Sequence, residues 1–121
     1  MFFGLTEEQE MIVETVRSFV ENEIYPHESL VEIKGSVPTE IAQDIKQKCI
    51  NLGFYACNFP ENIGGAGLNH LDFALVEREL GRGSMALTHF FGRPQNILMA
   101  CKDEQIEKYL LPAVRGELMD A

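Results

Sequence analysis

The stretch "FPENIGGAGLNHLDFALVERELGR", Phe59 to Arg82, decides between two folds. A short apolar run, Phe54 to Phe59, leads into three glycines in four residues, Gly64, Gly65 and Gly67. A helical pattern follows. Strand, glycine turn and helix in that order outline a nucleotide-binding α/β unit. The details argue against it. A dinucleotide fingerprint needs G-x-G-x-x-G, and here Gly65 and Gly67 have the first spacing but His70 holds the third position. The Walker pattern G-x-x-x-x-G-K-[ST] is absent as well. "FYACNFP", Phe54 to Pro60, has no partner strand in the chain, so it reads as an extended loop. Gly64, Gly65 and Gly67 then form a structural turn, with the positive φ angles that glycine tolerates.

The surrounding pattern is helical. Thr6 and Gln9 make a capping-box pair at the head of a helix over Thr6–Glu23. Leu5, Ile12, Val13, Val16, Phe19, Val20 and Ile24 fall on one stripe about 140° wide. Glu10, Glu14, Ser18 and Glu21 fall opposite. Pro26 is expected to close this helix, and His27–Val37 to be a connection. A second helix begins near Pro38, with Ile41, Ala42, Ile45, Cys49 and Leu52 on one face and Gly53 as its C-terminal cap. The third starts near Asn69. Its apolar residues form two groups, Leu71, Ala74 and Leu75 against Phe73, Val76 and Leu80, which predicts packing on both sides.

Ser84–Cys101 is apolar almost all round. It predicts a central helix with a kink or break near Arg93, where Gly92 and Pro94 intervene. His89 is expected to be partly buried within it. A last helix runs over Glu104–Leu111, with Asp103 as N-cap, Ile106, Tyr109 and Leu110 as its apolar side, and Pro112 and Gly116 at its end. The fold class is therefore all-α, an up-and-down bundle of about five to six helices in one domain.

Composition narrows the function. The 121 residues are 45% apolar and 24% charged, which fits one globular domain. A net charge of −9 repels phosphate backbones and anionic membrane surfaces, so neither nucleic acid nor membrane is an expected partner. No apolar run approaches the ~20 residues of a membrane span, and "MFFGL" is too short for a signal-peptide core. A cytoplasmic location is expected. Cys49, Cys57 and Cys101 form no C-x-x-C, and His27, His70 and His89 stand far apart, so no metal site is expected. Glu77 and Glu79 point about 200° apart on a helix and cannot share a substrate. Beside Arg78 and Arg82 they read as ion-paired or solvated. The residues alone describe an acidic helical domain with no catalytic constellation.

In order along the chain, five segments resemble the N-terminal helical domain of the acyl-CoA dehydrogenases. They are "LTEEQ" at Leu5–Gln9, "IYP" at Ile24–Pro26, "LGFYACNFPENIGGAGL" at Leu52–Leu68, "ERELGR" at Glu77–Arg82 and "DEQIEKYLLPAVRGE" at Asp103–Glu117. Cys101-Lys102, Asn69-His70 and the proline in "FFGRPQNILMA" depart from the family's usual residues. The resemblance implies an enzyme that desaturates an acyl-CoA thioester between its α and β carbons. It implies FAD in a β-domain, a catalytic carboxylate in a C-terminal helical domain, electron-transferring flavoprotein as acceptor, and a homo-oligomer. On that basis this chain is one part of the enzyme, holds no catalytic residue, binds no FAD by itself and is inactive alone. It also implies that Leu87, Phe90 and Phe91 lie near the acyl chain, and that the bulk of Phe91 shortens the pocket. Two other readings stay open: a stand-alone helical interaction module, and an acyl-CoA oxidase or flavin monooxygenase of the same architecture.

Overall fold

A computed structural model describes residues 4–117 of the chain. The apolar start Met1–Phe3 and the last residues of "GELMDA" lie outside them. Among the described residues all regular structure is helical. Helix α1 spans Glu7–Phe19, α2 Tyr25–Lys34, α3 Thr39–Leu52, α4 His70–Leu80, α5 Met85–Thr88 and α6 Leu111–Val114.

Helix α1 begins as its capping box dictates. Gln9 N–H donates to Thr6 Oγ1 at 3.1 Å, and Thr6 N–H donates to Gln9 Oε1 at 3.0 Å. The apolar stripe turns inward, with Val13, Val16, Phe19, Val20 and Ile24 buried. Helix α4 lies across α1, the most extensive helix pair in the domain. Asn69 caps α4, its Oδ1 accepting from Asp72 N–H at 2.8 Å. Gly53 ends α3 with φ 81°, a left-handed conformation that costs glycine little. Ile45, Cys49, Tyr55, Phe59, Leu80 and Leu110 meet in one core with the α1 stripe. Each large apolar side chain buried there contributes roughly 1.5–3 kcal/mol relative to exposure.

The two prolines do not end their helices. The chain leaves α1 through a π-helical turn, Val20–Ile24, and continues as α2, with Pro26 in its first turn. His27–Val37 is therefore mostly helix, closed by Gly35 at φ 76°. The same device recurs near the end. A π-helical turn over Ile106–Leu110 precedes α6, and Pro112 sits in the first turn of α6. In each case an N–H reaches back five residues, Tyr25 to Val20 O and Leu111 to Ile106 O. Each proline follows the widened turn by the same two residues. Proline lacks the donor of the ordinary ladder and clashes with the carbonyl four residues back. The inserted residue changes which carbonyl meets it.

Other expectations also change. Helix α4 has one buried face, not two: Leu75, Val76, Glu79 and Leu80 are buried, while Leu71 and Ala74 are exposed. Leu52 and Tyr109 are each 46% exposed, so neither joins the core. Asp103 has φ 53° and is no N-cap. Instead Gln105 Oε1 accepts from Lys102 N–H at 3.1 Å.

Candidate functional site

Ser84–Cys101 is a hook, not a long helix. Ser84 N–H donates to Glu28 Oε2 at 2.6 Å, which ties the start of the segment to α2. Helix α5 then lasts one turn, Met85–Thr88. The chain breaks because Gly92 lies against the Tyr55 ring, where any added Cβ would collide. Gly92 O accepts from Ala56 N–H at 2.8 Å, and Pro94 O accepts from Asn58 Nδ2 at 2.9 Å. A second short helical turn, Asn96–Ala100, is of the tighter 3-10 kind. Tertiary contacts to the Tyr55–Asn58 turn thus override the apolar run's helical preference.

This geometry distributes the apolar candidates. Leu87 and Phe91 are fully buried. The Phe91 ring meets Phe19 edge-on at 5.0 Å and lies 6.0 Å from Phe54. Phe90 is half-buried and borders an open hollow of about 310 Å³ with Val37, Ala42, Thr39, Gln43 and Lys46. His89 is exposed, because the turn after α5 swings it outward, and its ring packs edge-on against Phe90 at 5.3 Å.

Arg93 pins the hook from within. Its Nη1 donates to Thr88 O at 2.9 Å and Phe91 O at 2.7 Å. Its Nε pairs with Glu77 Oε1 of α4 at 2.6 Å. A planar guanidinium can hold all three oxygens at once.

Glu79 is ion-paired, as its neighbours Arg78 and Arg82 suggest, but it is buried and not on a solvated face. It is 2% exposed, and Arg17 Nε lies 3.0 Å from its Oε1. Arg78 Nη2 lies 3.1 Å from Oε2, and Arg82 Nη1 lies 3.7 Å from Oε1. Burial alone pushes this carboxyl up. Hydrogen bonds and charge from Arg17 and Arg78 outweigh burial and hold it below the usual carboxylate range. The clue was available: Glu79 stands three residues after Val76 and four after Leu75, on their face of the helix.

The glycine loop has little to offer a phosphate. Gly64 N–H donates to Glu61 O, Gly65 N–H to Pro60 O, Gly67 N–H to Phe59 O and Leu68 N–H to Cys57 O, at 2.8–3.1 Å. Gly64 and Gly67 have φ 104° and 69°. Gly65 is needed for a different reason: a Cβ there would strike Phe59 O. A dinucleotide's diphosphate needs free amides, so this glycine loop does not fit the diphosphate of FAD. A larger surface hollow, about 730 Å³, is lined by Glu14, Glu21 and Glu23 against a single cation, Arg17, so its net charge disfavours anions. No group of His, Cys, Asp and Glu among the described residues could hold a metal ion. No described helix is long and apolar enough to cross a membrane.

Comparison with known proteins adds what the geometry cannot name. The family model "Acyl-CoA dehydrogenase, N-terminal domain" matches residues 6–117. The chain is 34% identical to a 3-(aryl)acrylate reductase of Clostridium sporogenes, over 97% of this chain and 31% of that protein. It is 31% identical to the caffeyl-CoA reductase-Etf complex subunit CarC of Acetobacterium woodii, again over 97% and 31%. It is 30% identical to a short-chain specific acyl-CoA dehydrogenase of Clostridium acetobutylicum, over 100% of this chain and 32% of that protein. The chain thus spans about a third of the length of these relatives. No solved structure matches it significantly. The chain belongs to the acyl-CoA dehydrogenase family, as its N-terminal helical domain.

Proposed function

We propose that the protein to which this chain belongs oxidises an acyl-CoA thioester between its α and β carbons. The family match over residues 6–117 carries this reading. In the reaction the α carbon loses a proton and the β carbon loses a hydride. A C=C bond forms, and two electrons leave with the hydride. The oxidant is FAD, bound by residues outside those described, and no step of its chemistry falls to this chain. The catalytic carboxylate likewise lies outside. Electron-transferring flavoprotein is the proposed acceptor, and the intact protein is a homo-oligomer.

The role of this chain is to wall the acyl end of the pocket and to pack on the flavin domain. Phe90 faces the acyl chain, and Leu87 and Phe91 form the layer behind it. Each acyl methylene buried against such a wall gains about 0.8 kcal/mol.

A second reading runs the same couple backwards. Two of the relatives are named as reductases, of 3-(aryl)acrylate and of caffeyl-CoA. On that reading the substrate is an α,β-unsaturated thioester with an aryl tail. One experiment addresses both. The intact, flavin-loaded protein is offered butyryl-CoA or 3-phenylpropionyl-CoA with ferrocenium as oxidant, and cinnamoyl-CoA with reduced viologen as reductant. Formation of the enoyl-CoA supports the first reading. Reduction of cinnamoyl-CoA without measurable oxidation supports the second. No conversion in either direction overturns both.

A further inference from the structure

We infer that Arg93 is a positioning residue that sets acyl-size selectivity by fixing the side-chain direction of Phe90. The inference rests on the proposed wall role of Phe90.

Three contacts define the device. Arg93 Nη1 holds the carbonyls of Thr88 and Phe91, at 2.9 and 2.7 Å, which bracket Phe90 in the chain. Its Nε is anchored 2.6 Å from Glu77 on α4. Beyond Phe90 the backbone is fixed again, because Gly92 O accepts from Ala56 N–H at 2.8 Å and Gly92 abuts the Tyr55 ring. Helix α5 has ended by then, and residues 89–91 are held only by turn bonds, His89 N–H to Met85 O at 3.1 Å, Phe90 N–H to Leu87 O at 3.2 Å and Phe91 N–H to Thr88 O at 3.0 Å. Arg93 reinforces this turn, since Thr88 O accepts from both Phe91 N–H and Arg93 Nη1. Phe91 cannot adjust, because it is buried against Phe19 and Phe54. Phe90 is half-buried and has open space beside it. Any loosening of the backbone therefore appears first in Phe90. Lysine keeps the charge but is a point donor and cannot bridge the three oxygens as a planar fork does.

The test uses the intact, flavin-loaded protein. The readout is the ratio of kcat/KM for 3-phenylpropionyl-CoA to that for butyryl-CoA. Phe90→Ala is expected to move this ratio by roughly tenfold. Arg93→Lys is expected to move it in the same direction by roughly threefold or more, with Glu77→Gln weaker. Combining Phe90→Ala with Arg93→Lys should add little to Phe90→Ala alone, since the latch acts through that ring. Val114→Ala is the control for general destabilisation. It trims the core beside Gly64 and should lower the melting temperature while leaving the ratio unchanged. If Phe90→Ala moves the ratio and Arg93→Lys does not, the inference is overturned and the wall reading survives. If neither variant moves it, both fall. If Val114→Ala moves it as much as Arg93→Lys does, the latch is only structural and the inference is overturned.

Discussion

Arg17 Nε lies 3.0 Å from Glu79 Oε1, joining the last turn of α1 to the last turn of α4 through a carboxylate that is 2% exposed. The two residues are 62 positions apart in the chain. Arg78 and Arg82 complete the shell from α4 and the turn after it. Glu79→Gln should cost about 1–3 kcal/mol at neutral pH, because the shell then surrounds an uncharged amide. Arg17→Ala should cost less, because Arg78 and Arg82 still neutralise the carboxylate. Urea midpoints of the two variants check the order.

The same carboxylate gives a pH signature. An unfolded glutamate titrates near about 4.3, and Glu79 in the fold titrates lower. On acidification the unfolded chain takes up this proton first. The contribution of Glu79 is therefore full above the unfolded value and is lost as pH falls through the folded one. The stability gap between wild type and Glu79→Gln should be constant near neutrality and shrink below about pH 4. A gap that widened there would mean that the carboxyl is not held ionised.

Two glycines should respond very differently to alanine. At Gly65 the new methyl would meet backbone, Phe59 O and Ala56 O, which cannot step aside. Gly65→Ala should cost several kcal/mol, beyond the ~1–3 typical of an overpacked core. At Gly53 the only objection is a φ of 81°, with nothing within 4 Å of the added carbon. Gly53→Ala should cost only about 1 kcal/mol. Thermal unfolding of both variants decides, and equal losses would contradict the packing described for the glycine loop.

Thiol chemistry offers a test of the core. Burial pushes the Cys49 thiol up to about 12 and the Cys57 thiol up to about 11, so both stay protonated and sealed. Cys101 is partly exposed. A disulfide reagent should label Cys101 quickly in the native protein, and Cys49 and Cys57 only on unfolding. Rapid labelling of Cys49 would contradict its burial on the inner face of α3.

Local signals in the sequence are legible where they act alone. Thr6 and Gln9, Gly53, and Asn69 with Asp72 are caps whose partners lie within a few residues, and such pairs need no tertiary context. The two prolines show the limit of local rules. Pro26 and Pro112 stop a helix only if it keeps its ordinary register, and a π-helical turn before each removes that condition. Ser84–Cys101 fails for another reason: its helical preference loses to Tyr55, Ala56 and Asn58, which are distant in sequence. Arg93 and Glu79 were visible as charges, but their partners Glu77 and Arg17 are set by helix packing. The hook behind Phe90 could not have been drawn without that packing. The family resemblance rests on ordered segments across the chain, and the family match covers the same span.

The most direct test is an anaerobic titration of the intact, flavin-loaded protein with butyryl-CoA and with 3-phenylpropionyl-CoA. Flavin absorbance reports the outcome. The account predicts bleaching with at least one thioester, together with formation of the matching enoyl-CoA. It also predicts that Phe90→Ala shifts the preference between the two. An oxidised flavin that no acyl-CoA bleaches would contradict it.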